Sequence, residues 1–418
     1  MSEYTGFERR LARILSSNPT AKAFLKKVYT VAMRLTALNK KPRVSDFKIT
    51  SIYPKKESFF GYYDKSPSNG QGLLLFYSSD FDTSKSPELA PYIEVNVQNE
   101  HTREIIWSSR SRAFNWQQGC RLQWLTAKKF IYNDFDEDHQ RYIAKVISVD
   151  DFSMDALSLP VQDSYKDHYF LSLNYRRIKT LRPDYGYFCL KNMSTVELKN
   201  ISHDGIWRVD LLSRQEKLLI SLSDICCFES KPEFEASTHK VNHFQISPCG
   251  ETFVFLHRYI FNDKRFDRLL LADAETGLVK ILSDSNLVSH YHWLNSEELV
   301  VYLDDSDFGE CYIVLNIKTG DKKPISNLSK YGDGHPSGVN MYMVTDTYPN
   351  RSGIQSLFVL EDVKSKKEPT LLGEFYHPLK FSGPNRCDLH PRLVMEEKCV
   401  YFDSVYSGKR QLYRLELV

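Results

Sequence analysis

Four histidines occupy matching places in a repeated sequence pattern. His243, His290, His335 and His390 each come at the start of a unit that continues into a short run of β-branched and aromatic residues. Twelve histidines spread over 418 residues would seldom fall on four such places by chance, so we interpret them as a set. Gathered in one place, neutral imidazoles bind a divalent transition metal or act as general base and acid. Histidines that only hydrogen-bond a neighbouring unit are the alternative at this point.

Arginine and tyrosine side chains near these histidines suit an anionic sugar. An arginine neutralises a carboxylate through two parallel hydrogen bonds. A histidine or tyrosine can remove the proton beside that carboxylate or protonate a leaving oxygen. The residues that we predict to act on substrate in this way are His243, Arg258, Tyr348 and Arg392.

Further substrate-binding candidates lie in other units and in one insertion. Asp64 and Gln118 occupy the starting positions of the first two units, and Arg386 lies just before His390. Arg182 and Tyr185 belong to a long insertion, which we predict to form a loop over the channel of the fold.

The elements that must position these residues are short strands. Segments such as LLLFYSS, KFIYND, TFVFLH and CVYFDS recur between turn residues, which is typical of an all-β protein. Seven unit starts lie near residues 64, 118, 163, 243, 290, 335 and 390. Blades of four strands have about this length, roughly 40–50 residues. The pattern predicts a seven-bladed β-propeller over residues 46–418, with a large two-sheet sandwich as the alternative.

Ring closure follows from the length of the last unit. Only 28 residues come after His390, which is enough for two or three strands. We therefore expect an early strand within residues 47–53 (FKITSIY) to complete the last blade.

The first 45 residues differ in character from the rest. Residues 1–41 contain nine Lys and Arg but two Glu, whereas the whole chain carries a net charge of only +2. The apolar residues fall on helical faces, which predicts a basic amphipathic arm. Such an arm either contacts the anionic inner surface of a membrane or packs on the body or a partner.

Composition excludes several classes of protein. Balanced charge and 42% hydrophobic residues exclude a disordered chain and a general nucleic-acid binder, and no apolar run has the length of a membrane span. Neither a P-loop nor a G-x-G-x-x-G motif is present, so no nucleotide cofactor is predicted. Eight scattered cysteines without a C-x-x-C pair, together with no secretory signal, favour the cytoplasm, with peripheral membrane contact through residues 1–41 left open.

Several motifs together resemble one known group of proteins. They are F-G-Y-Y-D-K-S-P at 60–67, N-W-Q-Q-G at 115–119, S-H-Y-H-W at 289–293, D-G-H-P-S at 333–337 and R-C-D-L-H-P-R at 386–392. Over about residues 47–418 the chain resembles the seven-bladed propeller lyases. These are the oligogalacturonate lyases and, more loosely, the ulvan lyases and related proteins of bacterial surface-polysaccharide loci.

The resemblance implies a metal held by histidines of successive blades. The matching residues are His290, His335 and His390, with His243 one blade earlier. Asp388 stands where the lyase pattern has Gln, so the divalent metal is left open among Mn²⁺, Ca²⁺ and Zn²⁺.

Three functions remain open from the sequence. The first is an intracellular metal-assisted lyase that β-eliminates uronate-containing oligosaccharides. In it, Arg258 or Arg392 binds the carboxylate and His243 or Tyr348 is the base. The second is a membrane-peripheral glycosyltransferase or modifying enzyme of capsule or surface-polysaccharide biosynthesis, although residues 136–138 (D-E-D) fit a D-x-D motif only loosely. The third is a non-catalytic propeller that binds glycan or protein.

Overall fold

Seven four-stranded antiparallel sheets make up the body of the protein. The computed structural model describes residues 44–417, so the predicted arm of residues 1–45 lies almost wholly outside the described residues. Each sheet is an up-and-down meander of neighbouring strands, and together the sheets form a seven-bladed β-propeller, as the sequence predicts.

The strands of the first four blades run in order from the innermost to the outermost. They are β2 (Glu57–Phe59), β3 (Leu73–Ser79), β4 (Ile93–Asn99) and β5 (Ile105–Ser111); β6 (Gln123–Thr126), β7 (Lys129–Asp136), β8 (Arg141–Ser148) and β9 (Met154–Leu157); β10 (Asp163–Tyr165), β11 (Tyr169–Ser172), β12 (Gly205–Asp210) and β13 (Glu216–Ser221); β14 (Thr238–Ile246), β15 (Thr252–Phe261), β16 (Lys264–Asp273) and β17 (Val279–Ser283).

The last three blades follow the same order, and the final one takes its outermost strand from the start of the described chain. They are β18 (Val288–Trp293), β19 (Glu298–Asp305), β20 (Gly309–Asn316) and β21 (Lys322–Pro324); β22 (Ser337–Val339), β23 (Tyr342–Asp346), β24 (Ile354–Leu360) and β25 (Thr370–Tyr376); β26 (Arg392–Val394), β27 (Cys399–Ser404), β28 (Gln411–Glu416) and β1 (Ile49–Ser51).

The middle strands are buried on both faces because every blade is covered by a neighbour on each side. The strand β27 reads CVYFDS, and all six of its residues are buried. Val254 and Leu256 of the fourth blade share one apolar cluster with Leu299 and Val301 of the fifth. Blade-to-blade packing therefore explains why the strands appear in the sequence as continuous apolar runs rather than as alternating ones.

The long third unit contains the predicted insertion. Between β11 and β12 the chain forms helix α1 (Tyr175–Leu181), a 3-10 turn (Pro183–Tyr185) and helix α2 (Thr195–Lys199). The Asn174 side chain accepts hydrogen bonds from two backbone amides at the start of α1. A third helix, α3 (Leu222–Cys227), connects this blade to the fourth. The remaining 3-10 turns are Pro87–Leu89, Ser326–Tyr331 and Gly383–Asn385. None of the helices within residues 44–417 is long and apolar enough to cross a bilayer.

The start of the first unit differs from the sequence expectation. We expected the innermost strand to follow Asp64, but β2 ends at Phe59, before it. Gly61 has φ +96, a conformation that favours glycine, and the chain turns there after β2. Pairing with β3 resumes later, where the Leu75 amide donates to the Pro67 carbonyl at 2.8 Å. Asp64 therefore lies in the connection between β2 and β3.

The predicted closing strand is confirmed. Ile49, Thr50 and Ser51 pair with Leu415, Arg414 and Tyr413 in an antiparallel ladder. The next residue, Ile52, is buried and donates its amide to Leu412 O at 2.9 Å. The two ends of the described chain thus close the ring within one sheet.

A pair of truncated chains measures what this closure contributes. We expect a chain that starts at Lys55 to unfold with a free energy about 3–5 kcal/mol lower than one that starts at Val44. The reason is that it loses the burial of Ile52 and the β1 hydrogen bonds. Denaturant unfolding of both chains checks this, and equal midpoints would contradict it. Both chains lack residues 1–43, so the difference reports the closing strand.

Candidate functional site

His243 and His290 lie on bulges in the innermost strands of their blades. Asn242 pairs with Leu256 while Gln245 pairs with Val254, so β14 carries one extra residue there. His243 has φ +57, a left-handed conformation that is uncommon for a residue with a side chain. The register of β18 shifts in the same way around His290. Bulges re-aim side chains, and here they do so at two of the four histidines.

His335 and His390 are positioned by one carboxylate. Asp346, at the end of β23, accepts the backbone amide of His335 at 2.7 Å and that of His390 at 3.1 Å. The same carboxylate lies 2.9 Å from Nδ1 of His335. Asp346 therefore fixes the backbones that lead into β22 and β26 and leaves the Nε2 atom of His335 facing away from it.

The four histidines lie side by side in the channel. Ring centroids are 6.0 Å apart for His243 and His290, 4.3 Å for His290 and His335, and 4.3 Å for His335 and His390. All four are at most 5% exposed. Residues separated by up to 147 positions in the sequence thus form one buried cluster, while the roles assigned to them stay predictions.

Two of these histidines and one carboxylate are close enough to share a metal ion. One ligand atom from each of His335, Asp388 and His390 lies within 4.8 Å of the others. The Nε2 atoms of His335 and His390 are buried without a hydrogen-bond partner among the described residues. Two orphaned imidazole nitrogens beside a carboxylate fit a divalent cation, since it would satisfy both nitrogens at once.

Burial and neighbouring charges shift the pKa values of the cluster in different directions. Burial lowers the pKa of His290 and lowers that of His390 further. Burial acts to raise the pKa of Asp388, but Arg386 outweighs it and holds that pKa well below its usual range. Burial also acts to lower the pKa of His335, but Asp346 outweighs it, and the pKa of His335 is raised.

The Tyr62 hydroxyl contacts the imidazole of His243. The hydroxyl oxygen lies 2.5 Å from Nδ1 of His243, and the Tyr62 ring packs edge-on against Tyr185 at 6.0 Å. Burial raises the pKa of Tyr62 well above its usual value, and burial lowers the pKa of His243 well below its own. The pair therefore consists of a protonated phenol and a neutral imidazole.

Two arginine–tyrosine pairs border the cluster. The Arg182 guanidinium lies 4.5 Å from the centre of the Tyr185 ring, which in turn is 5.5 Å from the His243 ring. The Arg386 guanidinium lies 4.8 Å from the Tyr348 ring, which is 5.4 Å from the His335 ring. The 3-10 turns Pro183–Tyr185 and Gly383–Asn385 contact each other. The insertion thus places Tyr185 beside the cluster, and its predicted role as a loop over the channel stays a prediction.

Arg386 also reaches the candidate metal ligand. Its guanidinium donates two hydrogen bonds to the Asp388 carboxylate, at 2.6 and 2.7 Å. The Arg182 and Arg386 side chains are 26% and 31% exposed, so both cations remain in contact with solvent while the imidazoles beneath them do not. An anionic ligand can therefore meet these two arginines first.

Comparison with known proteins gives the fold. No family model matches the sequence, and no curated protein matches it. Among solved structures, an oligogalacturonate lyase in complex with manganese matches with a TM-score of 0.58 and 13% identity, covering 90% of this chain and 96% of that chain. The chain shares its fold with oligogalacturonate lyases.

Two other solved structures support the same architecture. An oligogalacturonate lyase from Vibrio parahaemolyticus matches with a TM-score of 0.57 and 14% identity, covering 90% of this chain and 96% of that chain. The β-propeller domain of the Trilobed protease from Pyrococcus furiosus has a TM-score of 0.53 and 10% identity, covering 86% of this chain and 96% of that chain. Propellers attached to different chemistries share this fold, so the site has to carry the functional argument.

Two predicted catalytic arginines are engaged in contacts inside the fold. Arg392 donates to Asp403 at 2.8 Å and to the backbone carbonyls of Gly61 and Tyr62. Arg258 donates to Asp267 at 2.9 Å and to the Val288 carbonyl. These contacts tie neighbouring elements together, and the predicted carboxylate-binding roles stay predictions.

Asp64 and Gln118 do not join the histidine cluster. Asp64 accepts two hydrogen bonds from Arg121, at 3.1 and 2.7 Å, and lines a separate cavity of about 240 Å³ with His292. The backbone N–H of Gln118 donates a hydrogen bond to the side-chain oxygen of Asn115 at 2.8 Å. The backbone of Gln118 packs against Gly61. A Cβ at residue 61 would lie only 2.9 Å from the carbonyl carbon of Gln118.

Sequence reasoning missed a buried lysine next to the cluster. Lys240 stands directly opposite Arg258 in the β14–β15 ladder, and both are 3% exposed. Burial lowers the pKa of Lys240 well below its usual value, with Arg258 and Arg182 adding to the effect. Like charges opposite each other destabilise a sheet, so this face of the blade suits an incoming anion. The sequence did carry a signal for it. Lys240 stands between His239 and Val241 in the strand that leads to His243, where a lysine is unusual in a buried run.

Proposed function

We propose that this protein is a metal-assisted lyase that β-eliminates uronate-containing oligosaccharides. The observation that carries the proposal is the pair of orphaned Nε2 atoms on His335 and His390 beside the Asp388 carboxylate. His290 would be a further ligand, since its ring lies 4.3 Å from that of His335 and its Nδ1 lies 3.2 Å from Asp333, which leaves Nε2 available. The shared fold with an oligogalacturonate lyase that is in complex with manganese supports the same class of reaction.

The donor set selects among the three metals named above. Ca²⁺ takes six to eight oxygen ligands, so a site of imidazoles with one carboxylate suits it poorly. Imidazole with carboxylate suits Mn²⁺ and Zn²⁺. A divalent ion held there would act as a Lewis acid that polarises the uronate carboxylate and acidifies the proton on C5.

The side chains of this chain would bind the sugar and move its protons. Arg182 and Arg386 are the two solvent-contacting cations, and they would orient uronate carboxylates over the cluster. In the tautomer in which Nδ1 of His243 donates to Tyr62, Nε2 carries a lone pair that would accept the C5 proton. Tyr348 would protonate the leaving oxygen on C4, since burial raises its pKa well above its usual value and keeps it protonated. The C4–O bond breaks as the C4–C5 double bond forms.

The experiment that tests the proposal follows the new double bond. We expect oligogalacturonate incubated with the full chain and Mn²⁺ to yield a product that absorbs in the ultraviolet. We expect a chelator to reduce the rate by about 100-fold or more, and added Mn²⁺ or Zn²⁺ to restore it. The control substrate is the same oligosaccharide with its carboxylates reduced to alcohols, which lacks the group that acidifies C5.

Two outcomes would contradict the proposal. One is that no uronate oligosaccharide yields an absorbing product while the protein holds the metal. The other is that the product forms at the same rate after the metal is removed.

A further inference from the structure

A second group of metal-ligating side chains lies outside the channel. Cys226 of α3, His239 of β14 and His257 of β15 each place one ligand atom within 4.8 Å of the others. His257 is fully buried and His239 is 2% exposed, while Cys226 is half-buried. None of the three takes part in the lyase chemistry described above.

Strand register explains why the two histidines meet. His239 pairs with Tyr259, and Val241 pairs with His257. The two histidines are therefore diagonal neighbours on one face of the ladder, a separation that long side chains bridge. Lys240 and Arg258 lie on the opposite face, because side chains alternate along a strand. Helix α3 adds Cys226 from the chain that leads into β14.

The hydrogen-bond pattern leaves nitrogen lone pairs unused. Nε2 of His239 lies 2.8 Å from the Phe234 carbonyl, so it carries the hydrogen and Nδ1 carries a lone pair. That Nδ1 lies 3.0 Å from Nε2 of His257. Nδ1 of His257 is buried without a hydrogen-bond partner among the described residues.

Neither tautomer of His257 satisfies the pair. If Nε2 of His257 donates to His239, a bare Nδ1 acceptor remains buried. If the hydrogen is on Nδ1, two lone pairs face each other at 3.0 Å. A ring nitrogen that donates to a backbone carbonyl while the other faces a metal is the usual arrangement of a histidine ligand, and His239 has it.

Burial holds the two imidazoles neutral, whereas the thiol has to lose its proton when the metal binds. Burial lowers the pKa of His239 and lowers that of His257 well below the usual value, so both are neutral. Burial raises the pKa of the Cys226 thiol to about 12, and Arg268 acts in the opposite direction, towards the thiolate. Arg268 in turn lies 3.9 Å from Asp284, which offsets its charge. The Phe234 ring lies 5.4 Å from the His239 ring and 5.6 Å from the His257 ring, which shields the group from water.

We propose that Cys226, His239 and His257 bind a second transition-metal ion, of the zinc class, which ties helix α3 to the fourth blade. One thiolate and two imidazoles are ligands that Zn²⁺ and Co²⁺ accept, with a water in the fourth position. On binding, the Cys226 thiol releases its proton and forms the metal–sulfur bond, with no change of oxidation state. The proposal is independent of the lyase function, since it uses none of the channel residues.

Co²⁺ is the probe that separates the two sites, because only the second one contains sulfur. We expect the full chain titrated with Co²⁺ under reducing conditions to show a sulfur-to-cobalt charge-transfer band in the near ultraviolet. Cys226→Ser should lose the band. Cys227→Ser, which changes the adjacent exposed cysteine, should keep it. His335→Ala should also keep it, since that substitution alters only the channel.

A second measurement guards against a variant that fails to fold. Circular dichroism establishes whether Cys226→Ser retains the wild-type spectrum. His257→Asn then tests the site while the cysteine is unchanged. We expect it to weaken Co²⁺ affinity, measured by titrating the charge-transfer band, by at least about 100-fold. Absence of the band from the wild-type chain would overturn the proposal. Persistence of the band in Cys226→Ser, or its loss in Cys227→Ser, would overturn it equally.

Discussion

His335→Ala is expected to lower the rate of formation of the unsaturated product by about 1,000-fold. The substitution removes a ligand that lies beside both other donors of the channel metal site. Lewis-acid stabilisation by a metal contributes several kcal/mol to the transition state, and each 1.36 kcal/mol corresponds to about tenfold in rate. The measurement is the initial rate of ultraviolet absorbance with saturating Mn²⁺, alongside Mn²⁺ affinity by calorimetry.

The fold should survive this substitution. Asp346 would lose its contact with the imidazole but would still accept the backbone amides of residues 335 and 390, at 2.7 and 3.1 Å. His292→Ala is the matched control, since His292 lies on the neighbouring blade and faces the separate cavity with Asp64. We expect that control to change the rate less than about threefold. A His335→Ala protein with wild-type rate and wild-type Mn²⁺ affinity would refute the assignment.

Arg392→Met is expected to lower the free energy of unfolding by about 3–5 kcal/mol, because it leaves the buried Asp403 carboxylate without its charged partner. Both side chains are at most 2% exposed, and Arg392 also binds two backbone carbonyls of the first blade. The pair therefore links the seventh blade to the first, next to the ring closure. Denaturant unfolding followed by circular dichroism measures the effect.

The same variant separates the two roles considered for Arg392. A structural role predicts lower stability with a modest change in rate for the fraction that stays folded. A role in binding the substrate carboxylate predicts a higher KM with unchanged stability. Arg112→Met is the control, since Arg112 pairs with Glu137 on the surface, where the side chains are 44% and 68% exposed. Exposed pairs contribute about 0–1 kcal/mol, so a comparable loss in that control would remove the argument from burial.

The fold was readable from the sequence because propeller blades repeat. Each middle strand is covered on both faces, so runs such as CVYFDS recur at blade spacing. The last unit was too short to form four strands, which predicted that an early strand completes its blade, and this strand is Ile49–Ser51. The histidine cluster followed from the same repeat, because matching positions of successive blades meet in the channel.

Other features of the site depend on contacts that spacing does not encode. Arg386 and Arg392 lie six residues apart in one motif, yet one is 31% exposed at the channel cluster and the other is buried against Asp403. Tyr62 contacts His243 from the irregular segment that follows β2, where no strand pattern in the sequence marks its position. The Cys226 group was not predicted because its members come from helix α3 and from two strands of the fourth blade and share no motif.

The position of the first described residues has a consequence for attachment. Ser45 hydrogen-bonds the Leu372 carbonyl at 2.5 Å, which places it against β25, the outermost strand of the sixth blade. The next strand, β1, is the outermost strand of the seventh. Residues 1–43 therefore join the propeller at its circumference. Anything fastened to that segment would be tethered to the side of the disc, at the seam between two blades, rather than over its hub.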